Sequence, residues 1–208
     1  MLFRSPGPAF VHLHNHSEYS LMDGTIRITD HKGNPSSALQ GLAQAGAKAL
    51  ALTDHGNLYG SVHFYLECKK AGIKPILGME AYLAPGDHRS KTTADRDPFH
   101  LLLLAKNATG WRNLMILSSK AHIDGYYYKP RVDHALLEQH GEGLIALSGC
   151  LGAEVPKLLT DGRYDEAKKV ATWYKETFDN YFLELQNQDR KSTRLNSSHV
   201  ALSRMPSS

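Results

Sequence analysis

The 208-residue sequence is short of most features that would place it at once. No apolar run approaches the roughly 18 residues needed to cross a bilayer, and the opening MLFRSPGPAF has no apolar core of a signal peptide. A cytoplasmic protein without membrane contact is expected. Cysteine is scarce: Cys68 and Cys150 stand in no CxxC pattern, which argues against a disulfide framework and leaves each as core thiol or ligand. Neither GxGxxG nor a P-loop motif occurs, so a nucleotide-binding Rossmann or P-loop reading lacks its fingerprint. Acidic residues are missing from the last stretch, RKSTRLNSSHVALSRMPSS (190–208), which carries Arg190, Lys191, Arg194 and Arg204. Without it the chain has 20 basic against 21 acidic residues, so the overall charge of +3 says nothing of nucleic-acid binding by the rest.

What is present is ordinary in bulk. A 41% hydrophobic and 22% charged composition suits one globular domain. Six short apolar segments read as strands: FVHLH (10–14), ALALTDH (49–55), KPILGMEAYL (74–83), HLLLLA (100–105), GLIALSGC (143–150) and YFLELQN (181–187). Helical stretches alternate with them. PSSALQGLAQAG (35–46) has a proline and serines at its start and Gly46 at its stop; LYGSVHFYLECKKAG (58–72) ends on Lys69, Lys70 and Gly72. From Tyr164 to Phe178, Ala167, Val170, Ala171, Tyr174 and Phe178 share one helical face. Repeated βα units predict a parallel sheet, and without a phosphate loop a barrel is favoured over a doubly wound sheet.

Polar residues gather at the ends of these strands. His14 and His16 end the first, Asp54 and His55 the second, Glu80 lies late in the third, and Cys150 closes the fifth. In α/β barrels that face holds the active site, and imidazole, carboxylate and thiolate converging there form a first-row metal ligand set. Alternation puts His12, His14 and His16 on one side of a regular strand, so periodicity does not choose among them; His14 and His16 lie nearer the end. Cys68, mid-helix between Glu67 and Lys69, reads as a core thiol. His63, His122, His134 and His140 read as solvated, and His88 falls in GDHRSKTTADRDP (86–98), expected to be a mobile surface loop.

The stretches LHNHSEYSLMDG, ALTDHGNLYG, AGIKPILGMEAYLAPG, FHLLLLAKNATGWRNLMILSS, GYYYKPRVD and EGLIALSGCLGAEVPKLL resemble, in this order, the PHP (polymerase and histidinol phosphatase) domain of bacterial DNA polymerase III alpha subunits, over nearly all of residues 9–188. The resemblance implies an α/β fold, a distorted (β/α)7 TIM-like barrel, with up to three divalent ions, zinc or manganese, at the C-terminal strand ends. By resemblance, His14 and His16 fall on the family's HxH motif and Glu80 bridges toward a second ion, whose other ligands match His100 and Cys150. Asp23 and His55 match two ligands of a third. His100 comes from the resemblance alone, since it opens its segment where strand-end reasoning would not choose it.

Two departures from the family pattern stand out. Between Gly24 and Thr53 the chain is longer than expected, and the family's last motif, an Asp-x-His beyond YFLELQN, is absent. The chain therefore reads as an N-terminal fragment: a PHP domain over 1–189, incomplete at its C-terminus, and a tail over 190–208 that resembles translated sequencing-adapter sequence, or else a disordered Ser/Arg-rich segment.

The chemistry implied is metal-dependent phosphodiester hydrolysis, as in a 3′-to-5′ proofreading exonuclease acting on the primer 3′ end of DNA. The parent would be a DNA-directed DNA polymerase. Its downstream polymerase domains would use magnesium, and its partners would include the sliding clamp and clamp loader. All seven ligand positions hold a permitted residue type, which favours an active site. The competing readings are a non-catalytic structural module supporting the polymerase core and a free-standing phosphoesterase, the latter disfavoured by the polymerase-branch segment YYYKPRVD.

Overall fold

The computed structural model describes residues 10–186 and, by backbone alone, 201–204. They fall into two units: one takes in the chain up to Asp54 together with Tyr59–Leu77, the other His55–Leu58 and the chain from Gly78 onward.

In the first unit, helix α1 (Ser37–Gln44) starts where Ser36 accepts a hydrogen bond from the Leu39 amide, and the chain leaves it through Gly46 at φ +83°. Strand β1 (Ala49–Leu52) and helix α2 (Ser61–Lys70) follow. β1 pairs in parallel with the opening residues of β2 (Lys74–Leu83), from Ala49 opposite Lys74 to Leu52 opposite Leu77. Ile28, Leu39, Leu50, Leu52, Phe64, Cys68 and Ile73 bury together as this unit's core.

The first predicted strand is not one. Over 10–14 the chain forms no strand and bends at His14, and beside it Ala51 N–H donates to His12 O and Thr53 N–H to Asn15 O, both at 2.9 Å. The acceptors are three residues apart and the donors two, so one residue is left over and no regular ladder forms. Asn15 adds to the irregularity, donating from its backbone to Thr53 Oγ1 and from its side chain to Ala51 O.

The second unit contains the rest of β2, β3 (Phe99–Ala105), α3 (Ala108–Ile123), the short hairpin β4 (Tyr126–Tyr127) and β5 (Lys129–Val132), and α4 (His134–His140). β6 (Leu144–Leu147), α5 (Glu154–Thr160), α6 (Tyr164–Thr177) and β7 (Asn180–Leu185) follow. Met79, Ala81, Leu83, Leu101, Leu103, Leu114 and Leu117 lie in its core, and α6 adds Ala167, Ala171 and Tyr174, the face that its periodicity predicts. Of the predicted tail, Ala201–Arg204 (β8) pairs antiparallel with β7; the predicted boundary at residue 190 and the other tail residues lie outside the described residues.

The mixed α/β class is as expected, but the sheet is not all parallel. β3 runs antiparallel to both β2 and β6, while β2–β5 and β6–β7 are parallel. The cause is the β2–β3 connection. Over 84–98 it holds one 3₁₀ turn, Thr93–Asp95, and no helix to carry the chain back across the sheet, so β3 simply returns alongside β2.

Nor is that connection the loose surface loop expected. Arg131, 0% exposed, donates from Nε to Gly125 O, from Nη1 to Asp95 O, and from Nη2 to His88 O and Ser90 O, at 2.6–3.1 Å. His88 is buried too, and its amide and Nδ1 both contact Asp133 Oδ2. A buried guanidinium needs its donors satisfied, and here backbone carbonyls satisfy them, three of the four from the connection. His134, expected to be solvated, is half-buried, with Nε2 3.1 Å from Glu154 Oε2 and its ring edge-on to Trp173.

Candidate metal centre

Strand alternation sorts the residues of β2. Met79, Ala81 and Leu83 enter the core, which turns Glu80 and Tyr82 to the other face. Across the antiparallel ladder His100 sits opposite Tyr82 and therefore on that same face, diagonal to Glu80. Its Nδ1 lies 2.8 Å from Glu80 Oε1. Just before β2 in the chain's path through this unit, His55 forms a parallel bridge with Glu80, Gly56 N–H donates to Glu80 O, and His55 Nδ1 lies 3.2 Å from Glu80 Oε2.

Cys150 arrives from β6. Leu147 pairs with Leu102, so the turn after β6 meets the start of β3, where His100 N–H donates to Gly152 O and His100 bridges Ala153. Gly149, at φ +72°, makes that turn possible for the backbone. Cys150 Sγ then lies 3.5 Å from His100 Nδ1 and 4.0 Å from Glu80 Oε1.

The Glu80 side chain is only 2% exposed, a costly place for a carboxylate unless cations face it. Each of its oxygens faces an imidazole nitrogen. The His100 pKa is pushed up to about 9 by its contact with Cys150 and by the Glu80 carboxylate. Two imidazoles, a carboxylate and a thiol with atoms within 4.0 Å of their neighbours form a donor set suited to a divalent metal ion. The ring of Tyr82 backs the pair, stacked on His55 at 5.9 Å and edge-on to His100 at 5.3 Å.

In the first unit, His14 and His16 stand with ring centroids 5.1 Å apart, nearly perpendicular. Asp23 is exposed in the turn that follows, its amide donating to Ser20 O. That turn is built around Asp54, which is 1% exposed. Asp54 Oδ1 accepts from Ser17 N–H and Ser20 Oγ, and Oδ2 from Ser17 Oγ, all at 2.7 Å. A Cβ on Gly24 would lie 1.8 Å from Ser17 O, so only glycine closes the turn.

Of the predicted site residues, His55, Glu80, His100 and Cys150 are brought together in the second unit, and His14, His16 and Asp23 belong to the first. Cys68 is fully buried in an apolar cluster, and burial, with Glu67 beside it, pushes its thiol up to about 12. Sequence reasoning missed Tyr82 and the role of Asp54. A signal existed for each: Tyr82 is two residues past Glu80 on a strand, and Ser17 and Ser20 beside a buried strand-end aspartate match its acceptors.

The sequence profile of the family described as PHP domain matches residues 12–188. The chain is 52% identical over 187 residues to DNA polymerase III subunit alpha of Treponema pallidum (strain Nichols), covering 86% of this chain and 15% of that protein. It is 46% identical over 184 residues to the same subunit of Deinococcus radiodurans (86% and 14%), and 44% identical over 194 residues to that of Borreliella burgdorferi (92% and 16%). The chain thus spans about 15% of the length of these relatives.

Proposed function

The chain belongs to the PHP domain family, and from that premise we propose that it is the PHP part of a bacterial DNA polymerase III alpha subunit and hydrolyses phosphodiesters at DNA 3′ ends. The observation that carries the reading is the convergence of His55, Glu80, His100 and Cys150 around one buried carboxylate. A bound divalent ion, zinc or manganese, would supply Lewis acidity to the phosphodiester and to the attacking water. Glu80, His100 and Cys150 would hold one such ion. His14 and His16 would serve another, and Asp23 with His55 a third, as the family pattern assigns them.

The chain's own residues prepare the site. Tyr82 packs against both imidazoles and fixes their planes, which keeps the donor set in place before substrate arrives. Asp54 holds the turn that carries Asp23 through three short hydrogen bonds. In this reading the parent protein is a DNA-directed DNA polymerase located in the cytoplasm. Magnesium serves its polymerase domain, and the sliding clamp and clamp loader are its partners. No helix among the described residues is long and apolar enough to cross a membrane.

The test is a 3′-mismatched primer offered to the full-length protein with dNTPs withheld, comparing wild type with His14→Ala and Asp23→Asn. Loss of mismatch removal in both variants, with primer extension retained, is the expected result. A metal-loaded wild type that removes no mismatch would overturn the nuclease reading in favour of a structural module for the polymerase core.

A further inference from the structure

A hairpin beside the metal-ligand cluster carries exposed aromatic rings and cations that the cluster does not use. Tyr127 pairs with Lys129, so Tyr128 alone turns the chain between β4 and β5, at φ +58°. At that angle glycine is the sterically favoured residue, yet the tip is a tyrosine, 59% exposed, flanked by Tyr126 at 54%. Such an outlier is a hint of function rather than of packing. Tyr127 is the anchor, with the Arg131 guanidinium 5.4 Å from its ring centre and the Tyr128 ring edge-on at 4.8 Å.

The cations are placed as deliberately as the rings. The Arg96 guanidinium lies 5.1 Å from the Tyr128 ring centre. Lys129 Nζ lies 5.3 Å from the Tyr82 ring, the same ring that packs on His55 and His100. Pro130 closes on Gly56, where a Cβ would come within 2.8 Å of Pro130 Cγ, so the hairpin is seated directly against the residue after His55. Both Arg96 and Lys129 are exposed, and among the described residues neither has a carboxylate within ion-pair distance.

Exposed ring faces interleaved with unneutralised cations suit unpaired nucleotides, whose bases stack on the rings while phosphates meet the cations. We propose that Tyr126, Tyr128, Lys129 and Arg96 form a platform for the 3′-terminal nucleotides of a DNA single strand. Tyr126 and Tyr128 stack bases, Arg96 meets a backbone phosphate, and Lys129 takes the phosphate nearest the cluster. A duplex, with its bases stacked inside, cannot use the tyrosines in this way. The inference rests on the reading of the cluster as a phosphodiesterase for DNA 3′ ends.

The test is photocrosslinking with the full-length protein and a single-stranded oligothymidylate whose last two nucleotides carry 5-iodouracil and hydrolysis-resistant phosphorothioate linkages. In the wild type, crosslinks should map to the peptide containing Tyr126–Lys129. Tyr128→Gly suits the φ of +58° and keeps the fold, yet with Tyr126→Ala added it should lower the crosslink yield roughly ten-fold or more, as expected for lost base stacking. Lys129→Gln should lower it and flatten its dependence on salt. Crosslinks that map elsewhere, or a yield unchanged in the Tyr126→Ala, Tyr128→Gly double variant, would overturn the platform. No hydrolysis is needed for the readout. A protein that removes mismatched nucleotides but never crosslinks at the hairpin refutes the platform alone, and one that crosslinks there without removing nucleotides keeps the platform and refutes the nuclease reading.

Discussion

Tyr82 on β2 and His100 on β3 are direct cross-strand partners, and this register puts the start of β3 beside the carboxylate of Glu80. The Tyr82 ring is the wall against which both His55 and His100 rest. Tyr82→Phe should therefore keep the metal content of the purified protein, whereas Tyr82→Ala should lower it by freeing both imidazoles to adopt other rotamers. Metal analysis after dialysis, with circular dichroism as a check on folding, distinguishes the two. Equal metal content in wild type and Tyr82→Ala would show that the ring does not position the ligands.

The two cysteines should respond in opposite ways to the same change. Cys150→Ser replaces a thiol beside His100 and Glu80 with a poorer ligand for a borderline ion, so bound metal should fall while thermal stability changes little. Cys68→Ser puts a hydroxyl into an apolar cluster and should cost about 1–3 kcal/mol of stability with metal content intact. Metal analysis and thermal unfolding on both variants check the pair. Metal loss in both would point to misfolding as the common cause.

Asp54 is predicted to act through the turn that it holds. Asp54→Asn keeps the shape but removes the charge: its amide can meet Ser17 Oγ only by donating, which turns the hydroxyl proton away, and the bonds from Ser17 N–H and Ser20 Oγ lose their charged acceptor. Hydrogen bonds to a buried charge are worth about 1.5–3 kcal/mol each, so the turn over residues 17–24 should open locally. Hydrogen exchange read by mass spectrometry should show faster exchange of the Ser17 and Gly24 amides, with the β2 and β3 amides unchanged. Unchanged exchange over 17–24 would remove Asp54 from this role.

How far the sequence alone reached depends on what each residue answers to. The interval between Lys74 and Leu83 and the face of α6 were legible because a continuous apolar run and helical spacing follow directly from burial. Strand direction was not. Nothing in HLLLLA tells a parallel from an antiparallel strand, and the deciding fact, a β2–β3 connection without a helix, is a tertiary outcome. That is why His100 looked misplaced at the start of its strand: in an antiparallel neighbour, the start of β3 lies beside the end of β2. The buried Arg131 was hidden for a similar reason, since its four carbonyl partners come from Gly125, His88, Ser90 and Asp95, scattered over 38 positions of sequence.

The connection held by Arg131 should also be acid-sensitive through Asp95. Asp95 Oδ2 accepts from Ser90 Oγ and Thr92 Oγ1, each at 2.6 Å, and from Thr92 N–H at 2.8 Å, and these bonds, that from Ser90 foremost, hold its carboxyl down to about 2. The ordinary aspartate value is about 3.9, so the folded state holds the proton less tightly than the unfolded chain does. The stabilisation is therefore full above about pH 4, begins to fade as the pH drops below it, and is gone once the pH passes about 2. Asp95→Asn should lower the thermal midpoint near pH 6, and its difference from wild type should shrink between pH 4 and 2.5. Arg131→Lys supplies the control. A lysine cannot reach the four carbonyls that the guanidinium spans, so proteolysis within 86–98 should quicken in this variant at every pH, with no comparable pH dependence. A difference between Asp95→Asn and wild type that stays constant from pH 6 to 2.5 would show that the Asp95 carboxylate contributes nothing to the connection as a charge.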